Sequence, residues 1–92
     1  MRMVWKYQLK PGAVCVLSMP AGAEILTTAA QGDEICVWVL VDPNQTKMEE
    51  RGFRIAGTGH GILSAPLKYI GTAFLYSASL VFHVFEVLKA EG

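Results

Sequence analysis

The sequence predicts an all-β fold: a small single-domain antiparallel sandwich or barrel of about seven strands, with at most one short helix. Three observations predict it. Short stretches of alternating or β-branched residues fill almost the whole chain. Turn signals built on Pro, Gly, Asn and Asp separate them at strand spacing. Helix signals are nearly absent, and only Thr46-Lys47-Met48-Glu49-Glu50-Arg51 and Ile62-Leu63-Ser64-Ala65 support a turn or two.

In chain order, Met3 to Leu9 alternates apolar and polar near its centre and stops at Lys10-Pro11-Gly12. Ala13 to Met19 is a β-branched run closed by Pro20-Ala21-Gly22. Glu24 to Ala30 follows, then Gln31-Gly32-Asp33 makes a hairpin turn. Glu34 to Val41 is apolar on both faces, as a central or interface strand should be. Asp42-Pro43-Asn44-Gln45 breaks it, and Thr46 to Glu50 reads as a polar connection. Arg51 to Ala56 sets arginines and apolar residues on offset positions and leads into Gly57-Thr58-Gly59-His60-Gly61. After Pro66, Tyr69 to Tyr76 and Leu80 to Leu88 form a final hairpin. No repeat, low-complexity tract or linker divides the 92 residues, a length that suits one domain.

Composition narrows the function. Eight basic and eight acidic residues give a formal net charge of zero. A coat for DNA or RNA polymers needs a basic excess to displace phosphate counterions, so that class is excluded. With 52% hydrophobic and 17% charged residues the chain is not disordered. A mean hydropathy of +0.35 is more apolar material than so small a domain can hide, which predicts a homo-oligomer. Cys15 and Cys36 both lie in apolar runs, as reduced buried thiols do, although a disulfide between them stays open. Met1 to Lys6 leaves no room for a secretory h-region. The uncharged stretch Tyr69 to Phe85 falls short of the roughly 20 residues that span a membrane, and two adjacent strands explain it better. The cytoplasm, with no membrane association, is the expected compartment.

The densest polar cluster runs from Arg51 to Gly61. Alternating glycines let backbone N–H groups converge on an anion, because no Cβ obstructs left-handed conformations. Thr58 adds a hydroxyl and His60 a ring N–H, while Arg51 and Arg54 supply planar forks suited to phosphate. Trp5, Tyr7, Phe53, Trp38 and Tyr69 offer flat faces on which a base can stack. The candidate ligand-binding set is therefore Trp5, Tyr7, Arg51, Phe53, Arg54, Gly57, Thr58, Gly59, His60 and Gly61. The bland reading of the same stretch is a plain glycine-rich loop. It matches neither the Walker A pattern nor GxGxxG on a strand-to-helix turn, so Rossmann-type cofactor binding is rejected, and no cofactor is expected.

His83, in Val81-Phe82-His83-Val84-Phe85-Glu86, shares a face with apolar neighbours and reads as a satisfied structural histidine or one at a subunit interface. Neither histidine has an acidic or thiol residue at ligand spacing, so no metal site is expected. Ser64 and Ser77 lack an elbow motif, the cysteines lack an electropositive setting, and Glu49-Glu50 reads as a solvated pair. Trp5 and Tyr7 share one face of the first strand while Lys6 takes the other; at a sheet edge that pair would meet a ligand or a second subunit.

Val4-Trp5-Lys6-Tyr7, Met19-Pro20-Ala21-Gly22-Ala23-Glu24-Ile25-Leu26, Trp38 to Pro43, Phe53 to His60, Tyr69-Ile70-Gly71-Thr72 and Val81 to Glu86 together resemble short proteins of unknown function carried by many phages and prophages. The resemblance spans nearly the whole chain and carries no catalytic residue with it. Phage proteins of this size with glycine- and arginine-lined pockets are similar in style to the sponges that sequester cyclic-nucleotide signals of CBASS or Thoeris defence. By that analogy the expected function is non-catalytic capture of a cyclic di- or trinucleotide by an oligomer. Arg51 and Arg54 would neutralise phosphates, Gly57 to Gly61 would donate N–H groups, and His60 would bond phosphate or ribose. Two alternatives stand beside it. One is a structural or protein-binding module that docks through an exposed strand edge; the other is a phosphodiesterase-like enzyme using His60.

Overall fold

The computed structural model describes residues 1–10, 12–62, 65–77 and 79–88. Seven strands run through it: β1 (Met3–Leu9), β2 (Gly12–Pro20), β3 (Glu24–Gln31), β4 (Glu34–Val41), β5 (Met48–Gly57), β6 (Leu67–Leu75) and β7 (Leu80–Val87). There is no helix among the described residues, and hence none long and apolar enough to cross a membrane. The strands form two antiparallel sheets, β1-β4-β3 and β2-β5-β7-β6. The architecture is thus a two-sheet sandwich rather than a closed barrel.

Period-two alternation decides what each strand buries. On β4, Ile35, Val37, Val39 and Val41 face the second sheet and are all buried. They join Leu9, Met19, Phe53, Ile55, Ala73, Leu75 and Val84 in one hydrophobic cluster. β4 is apolar on its other face too, because it is the central strand of its sheet. There Cys36 is buried, and Lys6 on β1 reaches across β4 to donate to the Gln31 side-chain oxygen on β3. The sheets come closest where β3 meets β6. Both cysteines are free thiols, Cys15 half-buried and Cys36 buried.

One element departs from the sequence reading. The stretch from Thr46 to Glu50, expected as a polar connection or a helical turn, becomes strand from Met48 onward. Met48, Glu49 and Glu50 pair with Pro20, Met19 and Ser18 of β2. Ladder hydrogen bonds to a neighbour already in place outweigh a weak local helix preference. The other possible helical turn, at residues 62–65, falls partly on Leu63 and Ser64, which lie outside the described residues; so does Pro11 of the first predicted turn.

The sheet order dictates the position of the site. β5 and β6 both run antiparallel to β7, which lies between them, so they are parallel to each other. The connection from Gly57 to Leu67 must therefore travel the length of the sheet. Its described part takes the face turned away from the core. Arg54, which alternates with the buried Phe53 and Ile55, donates from Nη2 to the Gly61 carbonyl at 3.0 Å. Ala56, on the same outward face, is only 2% exposed. Toward the flanks that face stands open, with Val16 57%, Tyr69 57% and Phe74 56% exposed.

Candidate functional site

β5 ends in a tight turn. The His60 N–H donates to the Gly57 carbonyl at 3.0 Å, and Gly59 between them has φ +87°. A positive φ at the third residue is the type II geometry that glycine adopts at no steric cost. Gly57 is required for a different reason: a Cβ there would lie 2.8 Å from the His60 ring, which rests against the bare backbone. The glycine spacing read from the sequence thus folds the His60 side chain back onto the end of its own strand.

Across from this turn, Tyr76 and Ser77 at the β6–β7 connection both have positive φ, 51° and 56°. They open the four-residue connection between the paired Leu75 and Leu80, and left-handed φ is uncommon in these residue types. Between the two turns lies a cleft of about 300 Å³ lined by Gly57, Thr58, His60, Ser79, Leu80, Val81 and Phe82. Its polar lining is two hydroxyls and an imidazole; the rest is aliphatic and aromatic.

Behind the cleft, on the outward face, a line of hydrogen bonds crosses three elements. Thr58 Oγ1 lies 2.8 Å from His83 Nε2, His83 Nδ1 lies 3.1 Å from Thr72 Oγ1, and Thr72 Oγ1 lies 2.5 Å from the Tyr69 hydroxyl. Cross-strand register places Thr72 opposite His83 and Tyr69 opposite Phe85. The Tyr69 and Phe85 rings are tilted at 59° with centroids 5.5 Å apart. His83 is therefore half-buried with both ring nitrogens engaged, the satisfied histidine the sequence suggested.

The structure divides the sequence-derived candidates. Gly57, Thr58 and His60 line the cleft, with Gly59 in the turn. Gly61 holds its strand of the loop to Arg54, whose Nη1 also donates to the Ile55 carbonyl. Arg54 does not line the cleft; it acts on the loop, as a positioning residue. Phe53 is a core side chain, 1% exposed, and offers no stacking face. Trp5 and Tyr7 belong to β1 in the other sheet and are not part of the cleft. Burial pushes the Tyr7 hydroxyl above its usual pKa.

Arg51 is the clearest correction. Three residues from Arg54 on a strand, it points to the opposite side, where its Nε and Nη2 pair with the Glu86 carboxylate. Its Nη1 donates to the Ala23 carbonyl at 2.8 Å and to Glu49 at 3.2 Å. Glu49 in turn accepts from the Gly22 N–H. The Glu86 hydrogen bond holds the guanidinium above its usual pKa despite burial. The recess beside it, about 220 Å³, is lined by Glu49, Glu50, Arg51, Glu86, Val87 and Leu88. Three carboxylates against one guanidinium repel a phosphate. Sequence reasoning had no signal for Ser79 or Phe82 at the cleft, because they arrive through sheet order rather than spacing.

Among the described residues, no group of three or more His, Cys, Asp or Glu is placed to hold a metal ion. No curated protein and no solved structure matches the chain. A family model covers its full length, residues 1–92, and on that match the chain belongs to the family described as Domain of unknown function (DUF7352).

Proposed function

We propose that this is a non-catalytic binding protein that captures a small phosphorylated nucleotide in the cleft beside the Gly57–Gly61 turn. One observation carries the reading: the turn singled out by its glycine pattern borders a cleft of about 300 Å³ with hydroxyl and imidazole groups on one side and Leu80, Val81 and Phe82 on the other. A ligand that is flat at one end and oxygen-rich at the other suits such a lining. Because Arg51 is committed to carboxylates, phosphate oxygens meet neutral donors here, and binding depends only weakly on salt.

The volume sits at the lower limit for small-ligand sites, so one protomer accommodates a nucleoside-sized portion of a cyclic di- or trinucleotide. An assembly of copies supplies the remainder. Supporting this, the accessible surface is 5797 Å², against roughly 5,200 Å² for a folded chain of this mass, and Val16, Tyr69 and Phe74 stand exposed on one face. Capture without turnover would lower the free signal below the level a host defence effector needs. His83 does not form a base–carboxylate pair, since its Nδ1 meets the Thr72 hydroxyl.

Calorimetry against cyclic dinucleotides, cyclic trinucleotides and ADP-ribose derivatives tests the proposal. Saturable heat with one of them, and intact ligand released on heat denaturation, are expected. No heat with any overturns it, and recovery of cleaved product overturns the non-catalytic part. A second reading, a protein-binding module acting through a strand edge, is favoured by β1, an edge strand whose Trp5 is 36% exposed. A stoichiometric protein partner retained from host lysate, with no nucleotide, would select it.

A further inference from the structure

Of the polar groups at the cleft, Thr58 alone is wired to a longer chain: Tyr69 to Thr72 to His83 to Thr58. Every link needs one donor and one acceptor. A neutral imidazole offers one of each, so its tautomer fixes both links it makes, whereas a threonine oxygen can accept twice. Two arrangements keep the Thr72 hydroxyl proton inside the chain. With the proton on Nε2, His83 donates to Thr58 and accepts from Thr72, which accepts from the Tyr69 phenol. The Thr58 hydroxyl proton then remains for the cleft. With the proton on Nδ1 every link reverses, the Thr58 proton is spent on Nε2, and the cleft receives only oxygen lone pairs. That reversed arrangement is also the one in which a hydroxyl stands beside its base.

We infer that the chain is polarised from Tyr69 toward the cleft, so that Thr58 is held as a donor to an anionic phosphate oxygen of the captured ligand. His83, Thr72 and Tyr69 are positioning residues in this arrangement. The inference rests on the nucleotide-capture reading and deepens it. The polarity follows from the phenol at the far end. A phenol is a stronger hydrogen-bond donor than an aliphatic hydroxyl. Its ring withdraws density from the oxygen, making it the poorer acceptor. A chain that begins on the best donor polarises each following bond in the same sense. Tyr69 is also well placed to start it, since its ring is set against Phe85 at the outer strand of the sheet.

Two measurements on the intact chain test this. Long-range ¹⁵N–¹H spectra of the labelled protein report which ring nitrogen of His83 carries the proton. Protonation at Nε2 is expected, with Nδ1 in the unprotonated position. Titration with adenosine 5′-monophosphate and with adenosine then separates phosphate recognition from base recognition. Thr58→Val should weaken the monophosphate about tenfold, the loss expected for a hydrogen bond to a charged oxygen, and leave adenosine unchanged. Thr58→Ser should restore it. Tyr69→Phe should shift the His83 tautomer populations and weaken the monophosphate alone. A free protein with the proton on Nδ1 overturns the inference even if nucleotides bind. Nε2 protonation with no binding of either probe overturns the role assigned to Thr58, while the capture reading stands or falls with the cyclic nucleotides.

Discussion

Arg51 and Arg54 stand three residues apart on β5, and the strand's alternation sends them to opposite sides of the same sheet. Arg51 faces inward at the corner where the chain passes from β2 into β3. It closes a network with Glu86, Glu49 and the Ala23 carbonyl, and Glu49 extends that network to the Gly22 N–H. Arg54 faces outward and bonds carbonyls at both ends of the turn that borders the cleft, Ile55 and Gly61. One guanidinium clamps the two sheets at a corner; the other fixes a loop. Two identical side chains in one polar cluster therefore do separate jobs, and only the second acts on the turn beside the cleft.

The largest expected effect is on the inner side. Removing one partner of the clamp by Glu86→Ala leaves a part-buried guanidinium with Glu49 at 3.2 Å as its remaining carboxylate, which should cost about 2 kcal/mol of unfolding free energy in urea. The double change Arg51→Met with Glu86→Leu should recover most of that loss, since apolar replacement of such a pair is often neutral. If the double variant is as unstable as the single one, the clamp's shape matters more than its charge.

On the outer side, Arg54→Ala should cost only about 1 kcal/mol, yet it should release the Gly61 end of the loop and abolish nucleotide heat in calorimetry. Gly59→Ala should act in the same direction through backbone strain, at about 1 kcal/mol, because its φ of +87° is unfavourable for a side chain. Equal loss of stability in the Arg54 and Glu86 variants would erase the distinction between the two arginines.

The smallest effect concerns alkaline pH. Arg51 has its pKa raised by Glu86, so the clamp is fully present below the ordinary guanidinium pKa and is lost only above the raised one, beyond any working pH. Tyr7 is also raised, by burial. Its neutral form is favoured in the fold, so stability is intact below the ordinary phenol pKa of 10.0 and declines as pH rises through the higher folded value. Tyr7→Phe should delay alkaline unfolding in a circular-dichroism titration without altering stability at neutral pH. An onset unchanged in that variant would move the alkaline weakness to another phenol.

Much of this was legible in the chain. Met3 to Leu9 reads as a strand, the doubly apolar Glu34 to Val41 as a central or interface strand, and Gln31-Gly32-Asp33 as the hairpin between β3 and β4; that β1 is an edge strand came only from the sheet order. Arg51 and Arg54 were grouped as phosphate ligands, although their odd spacing on a strand divides the two side chains between faces. Other features had no local signature. β5 begins in polar residues because β2 is there to pair with it. The Thr58–His83–Thr72–Tyr69 line depends on β6 lying beside β7 with a register shift between Tyr69 and Gly71. Long-range pairing and irregular register set these contacts, and neither leaves a mark in any short window of sequence.

The placement of β7 carries a consequence for how the molecule is made. Of the seven described strands it is the last to leave the ribosome, yet it fills the slot between β5 and β6. Until residues 80–87 emerge, those two strands have no neighbour to share, Arg51 has no Glu86, and Thr58 has no His83. The corner clamp and the cleft beside the Gly57–His60 turn therefore come into being in one closing event.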